Sequence, residues 1–206
     1  MKIAVLANIN AGGGKAKTAL AKIVKAWSGH ELFGAAGFGG EMLPRCLIPG
    51  AAEGYVPRLA AAVKALLAVR PKLFVTVGGD GAAAYAAECL IRERSTVPIL
   101  GIGAGTANAG PIVSFTADDL PDPESLKKVK LGAVEARDGE GKHIAYGFND
   151  LVIGNTFLGT SPEGETKTYA AKALAASGEL IPEAPLADIF EGAPGRPAEA
   201  LRYGRR

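Results

Sequence analysis

The sequence predicts an α/β protein: a mainly parallel sheet with helices on both faces, followed by a shortened β-rich second domain. Two observations carry this expectation. Strand-like and helix-like stretches alternate over the first hundred or so residues, the order that builds parallel β-α-β units with right-handed crossovers. One strand, Leu73–Val77, is almost continuously apolar, as a strand covered on both faces must be.

The elements follow in order. Lys2–Ala7 reads as a first strand ending in the loop Asn8-Ile-Asn-Ala-Gly-Gly-Gly-Lys15. Thr18 is suited to cap a helix running to about Trp27. Residues 28–40 are glycine-rich and read as a loop, and Met42–Ile48 as a short second strand. Pro57 suits a first helical position, and Leu59, Val63, Leu66 and Leu67 then share a face until Pro71 stops the helix. After Leu73–Val77 comes Gly78-Gly-Asp-Gly81, then a helix from about Ala82 to Arg94. Val97–Ile102 is the next strand, with Pro98 near its start, where a missing donor matters least. It leads into Gly103-Ala-Gly-Thr-Ala-Asn-Ala-Gly110.

Around residues 116–125 the aspartates and prolines read as a connection. The expected domains are therefore residues 1–115 and 125–206. In the second, Lys130–Arg137 and His143–Ile153 flank Asp138-Gly-Glu-Gly141 as a β-hairpin. Thr168–Ser177 reads as a short helix with Gly178 behind it. Beyond Pro182 no regular structure is assigned.

Composition narrows the function classes. With 48% hydrophobic residues among 206, the chain can bury a sizeable core, and a formal charge of +2 gives no case for a nucleic-acid or membrane partner. No apolar run approaches membrane-spanning length. Two cysteines, Cys46 and Cys89, without metal-ligand spacing fit a reduced, cytoplasmic setting. His30 and His143 have no partner at a recognisable spacing and read as surface histidines; Trp27 and Tyr85 read as packing residues of their helices.

The chemistry-bearing residues cluster in three glycine-rich loops, each after a predicted strand. Singly, any of them can be a simple turn. Ala11-Gly-Gly-Gly-Lys15 is not a P-loop, because the first glycine is missing at the required spacing and Ala16 replaces Ser or Thr. Gly101-Ile-Gly-Ala-Gly-Thr106 is not a dinucleotide fingerprint, because Thr106 stands where a third glycine belongs. Together, at successive strand ends, they favour a polyanionic ligand held by backbone N–H groups over a helix N-terminus. Asp80 stands among the glycines. A carboxylate there repels phosphate unless it holds a metal, accepts a hydroxyl proton or binds a sugar hydroxyl.

Gly78-Gly-Asp-Gly81 after an apolar strand resembles the signature of the NAD kinase and diacylglycerol kinase superfamily. Asn10-Ala-Gly-Gly-Gly-Lys15 resembles the first loop of its lipid-kinase branch, and Gly103-Ala-Gly-Thr-Ala-Asn108 the second glycine-rich loop of its nucleotide cleft. Phe148-Asn-Asp-Leu-Val-Ile153 resembles the Asn-Glu segment of NAD kinases. The likeness covers roughly residues 2–155 and extends to the kinase-like group that includes acetoin catabolism protein X.

The resemblance implies a Rossmann-like nucleotide-binding domain (residues 1–115) and an incomplete acceptor domain (125–206). It implies transfer of the terminal phosphoryl group of ATP, with Mg²⁺ or another divalent cation, to an alcohol. In NAD kinases that alcohol is the adenosine ribose 2′-hydroxyl. Asp80 is then the catalytic residue. Gly78, Gly79, Gly81, Gly103, Gly105, Thr106, Asn108, Asn10 and Lys15 bind the nucleotide, and Asn149 with Asp150 binds the acceptor NAD. No metal ligand is assigned. Two departures stand out: Ala82 replaces the usual threonine, and Asp150 replaces glutamate. The short second domain raises the expectation of a homo-oligomer that completes the acceptor site. A lipid kinase and a non-catalytic nucleotide-binding regulatory protein are the alternatives.

Overall fold

The computed structural model describes residues 1–105, 108, 110–148, 151, 156–160 and 166–170. The chain divides into two compact units, Met1–Asn149 and Asp150–Arg206. The first unit is α/β. The strands of its main sheet are β1 (Lys2–Ala7), β2 (Glu31–Ala35), β3 (Arg45–Leu47), β4 (Leu73–Gly78), β5 (Ile99–Gly103) and β6 (Val113–Thr116). Its helices are α1 (Lys15–Ala26), α2 (Tyr55–Ala68) and α3 (Asp80–Arg92). The six strands form one sheet in the order β3-β2-β1-β4-β5-β6, and every neighbouring pair is parallel.

This order follows from handedness. The chain steps from β1 to β2 in one direction, with α1 as the crossover, then steps from β4 to β5 in the other, with α3 as the crossover. A right-handed connection in opposite directions places the two helices on opposite faces. The core shows the result. Ile3, Val5, Ala7, Leu73, Val75 and Val77 pack under Ala16, Leu20 and Ile23 of α1. Ala4, Leu6 and Phe74 pack under Leu59, Val63 and Leu66 of α2 and Ala86 and Leu90 of α3. Successive residues of β1 and β4 therefore feed two cores, which explains why Leu73–Val77 carries no polar face.

Several elements differ from the sequence reading. Residues 28–40 are not all loop, because β2 lies within them. Gly34 disguised it. A Cβ on Gly34 would stand 2.5 Å from the Cα of Gly40, so the glycine lets the chain fold back tightly against its own strand. The short strand within 42–48 is β3, three residues long and paired with β2. Helix α1 starts at Lys15 with Gly14 as its N-cap, so Thr18 lies inside the helix and caps nothing. Pro57 is the third residue of α2, still within the turn whose N–H groups have no intrahelical partner. Helix α3 starts at Asp80, which puts the carboxylate in its first turn.

The expected hairpin forms from β7 (Val134–Arg137) and β8 (His143–Gly147), shorter than 130–137 and 143–153. It falls in the first compact unit, which ends at Asn149, whereas the sequence reading placed it after a 116–125 connection. In the second unit, β9 (Thr156–Thr160) pairs antiparallel with β10 (Thr166–Ala170). The helix expected over 168–177 is thus overturned at Thr168–Ala170, where cross-strand pairing wins; residues 171–177 lie outside the described residues. Among the described residues no helix is long and apolar enough to cross a membrane.

Candidate functional site

The chain reverses its direction of travel between β1 and β4, which lie side by side at the centre of the sheet. In a sheet of this order, the crevice beyond the carboxyl ends of those two strands is where ligands bind. All three glycine-rich loops meet there. After β4, the carbonyl of Gly78 accepts hydrogen bonds from the N–H of Ala104 (2.8 Å) and of Gly105 (3.2 Å) in the loop after β5. After β1, the N–H of Asn8 donates to the carbonyl of Val77 (2.9 Å). Gly12, in the 3₁₀ turn Ala11–Gly14, lies against the carbonyl of Ala104.

The turn before α1 is possible only for glycine. Gly12, Gly13 and Gly14 have φ of 60°, 63° and 99°, a run in the left-handed region that residues with a Cβ do not sustain. It delivers the chain to the N-terminus of α1 without a side-chain cap, since Gly14 is the N-cap. Helix α3 begins in the same manner, with Gly79 as N-cap and no side-chain cap. Two helix N-termini thus open at one sheet edge with their first N–H groups not taken by a capping side chain, the arrangement that favours an anion.

The expected nucleotide residues are placed as follows. Gly78 is buried, Gly79 and Asp80 are half-buried, and Gly81 is exposed. Around Gly81 a Cβ would meet nothing within 4 Å, so there is room above the first turn of α3. Gly103 and Gly105 are half-buried, and Asn108 is exposed with its amide donating to the carbonyl of Gly105 at 3.3 Å. Asn10 and Lys15 are exposed, Lys15 as the first residue of α1. Thr106 of the nucleotide set and the acceptor pair Asn149 and Asp150 lie outside the described residues.

Asp80 sits in a corner that the motif does not reveal. A Cβ on Gly110 would stand 2.9 Å from Asp80 Oδ1, so only a glycine leaves the carboxylate where it is. Ala83, Gly110, Ile112 and Phe148 close around it in a cavity of about 30 Å³. Gly110 ends the predicted glycine-rich loop, but nothing in its spacing points at Asp80. Phe148 follows β8, so the hairpin supplies one wall of the corner. Among the described residues no group of three or more His, Cys, Asp or Glu side chains could hold a metal ion. A single carboxylate such as Asp80 is compatible with Mg²⁺, which is held by one or two carboxylates together with the phosphates of a substrate.

Two readings of single residues are corrected. Tyr85 is not packed away: it is 43% exposed, edge-on to Tyr55 at 6.4 Å between ring centroids. His143 is not a solitary surface histidine. Its Nδ1 lies 3.0 Å from Glu135 and its Nε2 3.3 Å from Glu88 of α3, and its ring lies on Tyr146. Trp27 is buried as expected, its indole N–H donating to the carbonyl of Pro121. No protein-family model matches the chain, and no curated protein matches it.

Proposed function

We propose that this protein is an ATP-dependent phosphotransferase resembling NAD kinases, acting on the ribose 2′-hydroxyl of NAD or a related small alcohol. The observation that carries the reading is the meeting of three glycine-rich loops and two uncapped helix N-termini at the β1/β4 crevice, with one carboxylate inside it.

In this reading the N–H groups at the start of α3 take the phosphates of ATP, the 103–105 loop braces the turn before that helix through the Gly78 carbonyl, and Lys15 adds a positive charge at the start of α1. Asp80 accepts the proton that the acceptor hydroxyl loses as its oxygen bonds to the transferred phosphorus and ADP leaves. Phosphoryl transfer asks little more of a protein than such positioning and charge neutralisation. A divalent cation would supply charge neutralisation at the phosphates, and Asp80 is the carboxylate that could help hold it. Asn149 and Asp150 serve the acceptor, with a shorter reach than a glutamate gives.

The test is formation of NADP from NAD, ATP and magnesium, with the Asp80→Asn variant as the control. A second reading has one observation in its favour: a carboxylate in the first turn of α3 also stabilises the helix dipole, which needs no catalysis. A protein that binds ATP by calorimetry, yet turns over neither NAD nor diacylglycerol nor a sphingoid base, is a nucleotide-binding regulator instead.

A further inference from the structure

Beside the glycine loops lies a row of three aromatic rings that the reading above leaves unused. Phe38 follows β2, and its carbonyl accepts the N–H of Ala7, the last residue of β1, at 2.9 Å. The ring is therefore fixed at the carboxyl edge of the sheet, next to the strand whose following loop enters the crevice. Tyr55 opens α2, with its ring centroid 6.0 Å from that of Phe38. Tyr85 of α3 stands 6.4 Å from Tyr55 with the planes at 74°. Phe38 is buried, but Tyr55 and Tyr85 are 45% and 43% exposed. The two phenol rings thus form a supported corner open to solvent.

The corner is placed relative to the phosphate end of the crevice by α3 itself. Gly81 and Tyr85 are four residues apart on one helix, hence on one face, and both are exposed. A helical side chain leans toward its helix N-terminus and covers the turn before its own Cα. Tyr85 therefore stands one turn along α3 from Gly81 on the same face, and the space beside Gly81 is open. In a sheet of this strand order ligands lie in the crevice beyond β1 and β4, and Phe38 and Tyr55 flank it from the β2 side.

We propose that Tyr85 and Tyr55 form a subsite for the planar ring of a nucleotide base, which stacks on Tyr85 and meets the edge of Tyr55. The proposal rests on the phosphate-binding reading for its ligand class. Stacking is tolerant of base identity, because each base has a π-face. The subsite therefore raises affinity for nucleotides over plain polyphosphates without selecting adenine from guanine.

Calorimetric titration of the full chain with ATP, inorganic triphosphate and adenosine tests this. The wild type is expected to bind ATP more tightly than triphosphate. Tyr85→Ala is expected to weaken ATP about tenfold, within the range for losing one base–aromatic stack, and to leave triphosphate within about twofold. Tyr85→Phe keeps the face and the affinity. Tyr85→Leu keeps bulk without a face and behaves as Tyr85→Ala; it replaces that variant should the smaller side chain fail to fold. Equal losses for ATP and triphosphate, or no loss for either, overturn the subsite. Should the wild type bind no triphosphate, the phosphate reading fails separately. Adenosine then decides: binding that Tyr85→Leu abolishes supports the ring subsite, and no binding overturns it.

Discussion

Gly105 and Gly79 lie so close that a Cβ on Gly105 would stand 2.7 Å from the Cα of Gly79. The loops after β4 and β5 are in backbone contact, so the proposed phosphate site is also a packed joint. Gly105→Val must therefore push one loop off the other. The expected outcome is a loss of about 1–3 kcal/mol of stability together with a loss of ATP affinity, so this variant alone does not separate packing from binding.

Gly81→Ala does separate them. Gly81 lies in the first turn of α3, has no neighbour within 4 Å of a built Cβ, and is not among the glycines with positive φ. Alanine there is expected to raise stability by about 0.5–1 kcal/mol, as glycine is costly within a helix. A methyl group over the first turn also occupies the space assigned to phosphate, so ATP affinity is expected to fall. Melting curves and calorimetry on the same preparation check both. Unchanged ATP affinity in this variant removes phosphate from the α3 N-terminus.

Asp80→Asn keeps the size of the side chain and removes its charge. As a helix-terminal charge, Asp80 contributes about 0.3–1 kcal/mol, so the melting temperature is expected to fall little. As a proton acceptor, it is expected to carry about 10²-fold or more in turnover, with ATP binding kept. Gly110→Ala tests the same atom from outside: its methyl would press on Asp80 Oδ1. Turnover is expected to drop there too, while Asp80 remains a carboxylate. A steady-state assay in which both variants match the wild type ends the catalytic role of Asp80.

The two-faced core makes its own prediction. Phe74 is fully buried between the sheet and the α2/α3 layer. Phe74→Ala is expected to cost about 3–5 kcal/mol, the range for emptying a large core position. Urea denaturation measures it, and a loss below about 1 kcal/mol contradicts the packing of that layer.

How much of this was legible in the sequence depended on how local the cause was. Strand β4 announced itself because burial on both faces leaves Leu73–Val77 apolar at every position but Thr76. The sheet edge was legible because each glycine run followed a strand. Strand β2 was hidden because Gly34, which reads as a turn residue, serves a close approach to Gly40 that only the fold creates. Gly110 was in view, but its contact with Asp80 depends on the return of the chain beside α3. Tyr85 and His143 were misread for the same reason. Tyr55, Glu88 and Glu135, the partners that give them meaning, come from other elements.

His143 supplies the last prediction. It joins the hairpin to α3, with Glu135 of β7 on one ring nitrogen and Glu88 of α3 on the other. Arg92 pairs with Glu88, Arg137 pairs with Glu135, and Tyr146 stacks on the imidazole. The hydrogen bond from Arg137 holds the Glu135 carboxyl below the usual carboxylate range, against the desolvation that opposes it and with help from the bond to His143. A carboxyl whose folded value is depressed stabilises the fold above its unfolded value, about 4.3 for glutamate, and that stability is lost as the pH falls through the folded value. The hairpin is therefore expected to stay docked from neutral pH down to about 5, where Glu135 is ionised folded or unfolded, and to loosen in stronger acid as Glu135 takes up a proton. Hydrogen exchange of the β7–β8 amides, corrected for the intrinsic pH dependence, reads this directly. Glu135→Gln should show at neutral pH the loosening that the wild type shows only in acid. Since Phe148 follows β8 and walls the Asp80 corner, the same variant should lower turnover more than it lowers ATP affinity. Full protection of the hairpin in Glu135→Gln would show that apolar packing, and not this ion network, holds it on α3.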